Sequence, residues 1–190
     1  KFFRISMLFI GPRRTKIFYD FLYLIYDQIN PLIYTKEMRQ ILLNEVEGKR
    51  ILDVGVGTGY TTKHFKNSIG IDLNKKMLKI AKSNYKGSLI LGDAALPPFK
   101  AESFDAIISA GSLYYFKSPD KALRRFYNLL KKNGVFLSIT PSWKILKIFV
   151  HVFSKSDLQN LFRNAGFNIE KIKKMRRIAY FCKVRKNEKF

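Results

Sequence analysis

Between Asp53 and Gly59 the chain reads Asp-Val-Gly-Val-Gly-Thr-Gly, three glycines at alternate positions directly after Ile51-Leu52. No other segment restricts the fold as much. Residues without a Cβ let the backbone turn sharply and let a ligand approach N–H groups that a side chain would shield. Arg50 to Val54 is a short β-branched and aliphatic run, which predicts a buried strand. Thr58 to Lys66 can open a helix, so the loop sits at a strand's carboxyl end, where open α/β sheets bind ligands. Ile69-Gly70-Ile71-Asp72 is a second short apolar run closed by a carboxylate that can accept bonds from both hydroxyls of a ribose. This order predicts a β-loop-α-β unit for an adenosine-type cofactor.

Glycine spacing separates the cofactor classes. The dinucleotide fingerprint is G-x-G-x-x-G, whereas here the third glycine comes one residue early and Tyr60 fills the fingerprint's last position, which counts against nicotinamide and flavin cofactors. No G-x-x-x-x-G-K-[ST] run occurs, so a P-loop triphosphatase is not supported.

D-x-G-x-G-T-G with a downstream acidic strand end resembles motif I and its partner in class I S-adenosylmethionine-dependent methyltransferases. Further on, Leu91-Gly92-Asp93-Ala94-Ala95-Leu96-Pro97-Pro98-Phe99 and Ser103-Phe104-Asp105 resemble that family's third and fourth strand ends. Ala122-Leu123 through Leu130-Lys131-Lys132-Asn133-Gly134 resembles its helix and turn before strand five. Upstream, Tyr19 to Asn30 is similar to the opening segment of the ubiquinone and menaquinone biosynthesis C-methyltransferases (methyltransferase type 11), through Leu22, Tyr26, Asp27 and Asn30. Pro141-Ser142-Trp143-Lys144 is similar to that group as well. Those enzymes usually carry a longer insertion after strand five, and here only Ile145 to Phe153 precedes the next helix.

The resemblance implies an α/β fold: a Rossmann-like seven-stranded sheet with helices on both faces, a C-terminal antiparallel hairpin and an N-terminal helical cap. It implies S-adenosylmethionine as cofactor, with S-adenosylhomocysteine as product. Gly55, Gly57, Thr58 and Gly59 would surround the methionine part, Asp72 and Leu73 the ribose side, Asp93 the adenine amino group and Ala94 the ring nearby. Ser109, closing strand four, would face the donor's methionyl end. Asp53, beside the turn, is included in the binding set, although it could serve by accepting loop N–H bonds instead. Structural roles compete at the others: Asp72 could cap a helix near Asn74, Asp93 could be a turn residue, and Ser109 an ordinary strand end. Methyl transfer from a sulfonium needs alignment and exclusion of water and no covalent nucleophile, so no catalytic residue is assigned. Tyr19, Tyr26, Tyr34, Tyr114 and Tyr115 could line the acceptor pocket or pack in the core.

A length of 190 residues suits one domain, with residues 1 to 35 as cap and 36 to 190 as core, burying about 70% of its unfolded surface. Asp20 and Asp27 interrupt one apolar stretch and Lys147 and His151 another, so no run reaches the roughly 18 residues of a membrane span. The opening Lys1 to Ile10 is too short for a convincing signal sequence, and Met7 is a candidate start. Cys182, the one cysteine, lies in an apolar run and reads as a buried strand thiol in a reducing, cytoplasmic setting. His64 and His151 lie far apart with no carboxylate at ligand spacing, so no metal is expected.

Lysine and arginine total 36 against 14 acidic residues, a net charge of +22 that attracts phosphates, anionic lipid or an acidic partner. Much of it can equally be solvated surface. Lys171 to Arg177 with Lys183, Arg185, Lys186 and Lys189 is the densest cluster and could grip an anionic surface. Gly11-Pro12-Arg13-Arg14 predicts a turn, and Ile17 to Ile29 a helix apolar nearly all round, which could form a lid, complete the core or lie on a membrane. Thr35 predicts an N-cap for a helix over 36–47. Strands are predicted at 50–54, 68–72, 88–91, 104–109, 134–140, 167–173 and 177–184, and further helices at 58–66, 74–84, 119–132 and 155–165.

Three functions stay open from sequence. The first is methylation of a small-molecule or lipid acceptor, including a quinone precursor, at a membrane face. The second is RNA or protein methylation, using the basic surface. A binding module without catalysis is the third. Ser109-Ala110-Gly111-Ser112 lacks the [ND]-P-P-[FY] loop of amino-methylating nucleic-acid enzymes, which counts against base methylation.

Overall fold

The aliphatic runs that alternate with polar turns become one sheet. This computed structural model describes residues 12–22, 28, 34–144, 147 and 150–187. The strands are β1 (Ile51–Val54), β2 (Ser68–Asp72), β3 (Ser88–Leu91), β4 (Phe104–Ala110), β5 (Leu130–Pro141), β6 (Phe167–Met175) and β7 (Ala179–Lys186). They form a seven-stranded sheet in the order β3-β2-β1-β4-β5-β7-β6. Strands β1 to β5 pair in parallel, and β7 runs antiparallel between β5 and β6. The chain winds outward from β1 through β2 to β3, then returns to lay β4 on the other side. A ligand crevice is expected at that reversal, outside the carboxyl ends of β1 and β4.

Period-two alternation along the strands feeds two cores. On one face Leu52, Ile107 and Phe136 pack with Phe126, Leu123 and Phe162. These come from helices α4 (Pro119–Leu129) and α5 (Lys155–Asn164), which follow α1 (Pro12–Leu22), α2 (Lys36–Leu43) and α3 (Lys75–Ala81) in the chain. On the other face Ile51, Ile108 and Leu137 pack against Met38 and Leu42 of α2, with Tyr34 and Tyr114 in the same cluster. Each of these strand residues is essentially without exposure, so a one-residue register slip would exchange the two cores. The expected doubly covered sheet, cap helix and C-terminal antiparallel hairpin are all present.

Several expected boundaries are corrected. Residues 58–66 form consecutive turns, not a helix: Gly59 has φ +78°, and Thr62 turns its hydroxyl inward to Asp53. Competing side-chain bonds of this kind disfavour a continuous helical ladder. Pro12 to Arg14 is the first turn of α1 and not a free turn, because proline at a helix's first position costs no donor bond. Residues 23–27, 29 and 30, which carry Tyr26, Asp27, Asn30 and the rest of the Ile17 to Ile29 expectation, lie outside the described residues. Helix α2 ends at Leu43 instead of residue 47, and α3 at Ala81 with turns beyond it. Helix α4 stops at Leu129, where Leu130 pairs with Phe104 and starts β5; Asn133 then adopts φ +60° at a ladder irregularity. The hairpin strands extend two residues past expectation, to Met175 and Lys186, around a turn formed by Arg176 and Arg177.

Candidate functional site

Four strand ends, the cap helix and the start of α4 enclose a cavity of about 300 Å3, the lower end of small-molecule sites. Its floor is the glycine turn. Gly55 has φ +76°, and a Cβ there would collide with Ser112, so only glycine fits without strain. The N–H groups of Gly55 and Val56 both donate to Ile71 O, at 2.8 and 3.2 Å, which ties the turn to β2.

Asp72 is the junction of the site. Its Oδ2 accepts from Gly57 N at 2.8 Å and its Oδ1 from Asn74 N at 2.8 Å. Burial pushes its carboxyl above the usual range, against the pull of N–H bonds from Asn74, Gly57 and Leu73. Asn74, itself 2% exposed, caps α3 by accepting from Lys76 N and Met77 N. Its Nδ2 donates to Lys16 O and to Asp20 Oδ1, both on α1. The cap helix is thus fastened to the strand end that carries Asp72. Asp93 Oδ1 accepts from Ala95 N at 2.8 Å, and no described residue bonds its Oδ2.

Of the residues expected to bind cofactor, Gly55, Gly57, Asp72, Leu73, Asp93 and Ala94 line this cavity. Asp53, Thr58, Gly59 and Ser109 do not. Asp53 is buried at the centre of β1, where its Oδ2 accepts from Thr62 Oγ1 at 2.5 Å, a hydroxyl in place of the loop N–H groups expected. Burial, with the charge of Asp72 adding to it, pushes the Asp53 carboxyl up to about 7 despite that bond. Thr58 is buried, and Gly59 packs beside Tyr85. Ser109 lies wholly inside, its hydroxyl 2.8 Å from that of Ser112 and accepting from Leu113 N at 3.0 Å. Ser112 bonds Val54 O in turn, so Ser109 acts on the cavity only through its neighbour.

The sequence reading passed over Gly111, Ser112 and Met77 as lining residues, together with Pro12 and Thr15 of the cap and Lys117 and Lys121 near α4. Gly111, at φ +95° directly after an apolar strand run, is the one signal that could have flagged this second turn. Of the tyrosines considered, Tyr19 and Tyr115 face the cavity, Tyr34 and Tyr114 are buried behind them, and Tyr26 lies outside the described residues.

Part of the basic cluster is paired with carboxylates. Lys183, with a side chain 10% exposed, meets Glu45, Glu47 and Glu170, while Arg185 meets Glu47 and Glu170. Lys171 also pairs with Glu45, and Lys186 with Glu102. Lys171, Lys183 and Arg185 bind the sheet edge to the segment before β1, and Arg185 with Lys183 holds Glu47 down to about 2. Lys189 lies outside the described residues. Cys182 is a buried strand thiol, pushed up to about 12 by burial. Among the described residues, no cluster of three metal-ligating side chains occurs and no helix is long and apolar enough to cross a membrane.

The methyltransferase domain family matches residues 52–138. The chain is 33% identical over 179 positions to 2-methyl-6-phytyl-1,4-hydroquinone methyltransferase 1, chloroplastic, of Oryza sativa subsp. japonica, covering 83% of this chain and 54% of that protein. It spans about half the length of the curated relatives it matches. In fold it is similar to the [4+2]-cyclase SpnF, with a TM-score of 0.80 at 15% identity over 94% of this chain and 97% of that one. It is similar also to an S-adenosylmethionine-dependent methyltransferase from Thermotoga maritima, with a TM-score of 0.72 at 21% identity over 96% and 100%. A cyclase on the same scaffold means that fold alone does not dictate the reaction.

Proposed function

We propose that the chain is a class I S-adenosylmethionine-dependent methyltransferase and that it methylates a ring carbon of a hydroquinone-type acceptor with an apolar tail. The observation that carries this reading is the meeting of two chemistries in one cavity. The glycine turn, Asp72 and Asp93 supply polar groups, and Tyr19, Tyr115 and Phe116 supply aromatic surface, to the same wall. The hydroquinone relative supports the acceptor class.

The residues present fit the cofactor. Asp93 keeps one carboxylate oxygen for an amino group, the Asp72 carboxylate reaches the cavity from the strand end, and Gly55 holds a turn that any Cβ would obstruct. When bound, S-adenosylmethionine supplies an electrophilic methyl group on a sulfonium. The chain's part is to hold donor and acceptor in line and keep water out. Asp72 and Asp93 anchor one end, the glycine turn approaches through backbone atoms, and α1 closes the top with Pro12, Thr15 and Tyr19. An acceptor with a long tail partitions into lipid, so we place the enzyme at the cytoplasmic face of a membrane, in transient contact.

Calorimetric titration tests the donor half: we expect micromolar binding of S-adenosylmethionine, about −8 kcal/mol. No detectable heat, or unchanged binding after Asp72→Ala with Gly57→Val, would refute it. Methyl-labelled donor incubated with extract tests the acceptor half. Label in the lipid fraction supports the proposal, and label confined to RNA or protein overturns it.

A further inference from the structure

Behind the cavity, four tyrosines make a continuous cluster from the cap helix into the core. Tyr34 Oη donates to Tyr114 Oη at 3.0 Å across 80 residues of sequence, and both rings are buried. Tyr115 packs between Tyr114 on one side and Tyr19 on the other. The rings follow the same path: Tyr114 and Tyr115 lie 4.4 Å apart by centroid, and Tyr19 meets Tyr115 edge-on at 5.6 Å. Only Tyr19 and Tyr115 reach the cavity wall, one from α1 and one from the short 3₁₀ turn Leu113–Tyr115 after β4. That turn is held from behind by His151 N donating to Tyr114 O at 3.2 Å.

A phenolic hydroxyl has one proton and two lone pairs, three hydrogen-bonding sites in all. At Tyr115 the ring is held in place by those of Tyr114 and Tyr19. Its hydroxyl belongs to a group fixed by its neighbours at the cavity wall. Such a group discriminates sharply, because a ligand unable to complete its hydrogen bonds leaves it desolvated and unpaired. We propose that Tyr115, held by Tyr19 and Tyr114, is the residue that recognises the acceptor's ring hydroxyl and selects free phenols over ring ethers. This inference rests on the methyltransferase reading and adds the group that turns the acceptor's ring toward the donor.

The test uses the full chain loaded with S-adenosylhomocysteine, whose own binding is measured first. Binding of methylhydroquinone is then compared with binding of its dimethyl ether, a probe of the same ring that has no hydroxyl proton to donate. The wild-type chain is expected to prefer the hydroquinone by about tenfold or more, a hydrogen bond's worth of discrimination. Tyr115→Phe is expected to bind S-adenosylhomocysteine as before and to lose most of that preference. Tyr19→Phe, on the half-buried cap, should weaken it partway and serves as the deciding variant if Tyr115→Phe does not fold. Full preference retained in the variant that folds overturns the inference. Wild type that binds S-adenosylhomocysteine yet does not distinguish the two probes overturns the inference alone. Wild type that binds no S-adenosylhomocysteine overturns the methyltransferase reading with it.

Discussion

Asp53→Asn isolates the cost of a carboxylate held in the centre of β1. The side chain is 2% exposed and has Thr62 Oγ1 as its hydrogen-bond partner, with Asp72 as a nearby like charge. Its carboxyl moves from 3.8 to about 7 on folding. The native state therefore keeps a proton that the unfolded chain releases, so stability is fully present below about pH 4, declines as pH rises toward 7, and levels above it. At about 1.4 kcal/mol per unit, a gap of roughly three units is worth about 4 kcal/mol in total, of which about 2.5 kcal/mol falls between pH 5 and pH 8. Asparagine cannot titrate, and its buried amide costs about 1–3 kcal/mol at every pH, so the change with pH carries the information. Urea unfolding of both proteins at pH 5, 6, 7 and 8 measures it. Wild type should lose about 1 M more in midpoint than the variant across that range, for a slope near 2 kcal/mol/M. Removing the charge also relieves Asp72, which flattens the variant's curve in the same direction. Midpoints that shift in parallel would refute the reasoning.

Three further outcomes follow from particular contacts. Asn74→Ala removes the cap of α3 and the fastening of α1, so thermal unfolding should show a loss of about 1–2 kcal/mol, and limited proteolysis should cut within residues 12–22 well before the core; an unchanged cleavage order would count against the fastening. Gly55→Ala forces a Cβ into Ser112 at φ +76° and should abolish S-adenosylmethionine binding in a titration while the far-ultraviolet spectrum stays folded; retained affinity would remove the glycine turn from the site. Arg176 and Arg177 occupy the hairpin turn with φ +42° and +60°, so Arg176→Asn with Arg177→Gly should gain about 1–2 kcal/mol and raise Tm by a few degrees, because those residues adopt positive φ with little strain; a lower Tm would show that Arg176's exposed pairing with Glu37 outweighs turn strain.

Strands were legible because buried parallel strands are written as short aliphatic runs, and all seven appear where alternation and β-branched content place them. Residues 58–66 misled because helix propensity there is opposed by Gly59 and by the Thr62 hydroxyl, whose partner Asp53 comes from another element. Helix α4 was overrun at its end for the same kind of reason: Leu130 pairs with Phe104, a long-range bond that local preference cannot register. The sequence does not reveal that Glu45, Glu47 and Glu170 fold back against Lys183 and Arg185 of the basic cluster, because those pairings are long-range or cross-strand.

By itself the sequence determined the nucleotide-type turn, the acidic strand ends Asp72 and Asp93 and the alternating α/β order, since each depends on residue types at short spacing. Tertiary structure decided which of these residues meet the cavity. It drew Asp53 and Ser109 inward to brace the turns, and brought Asn74 to the cap helix across more than fifty residues. It also joined Tyr34 to Tyr114 behind Tyr115. The physical reason is that a buried polar group must find a partner wherever the fold supplies one, and that partner's position is set by packing and not by neighbours in sequence.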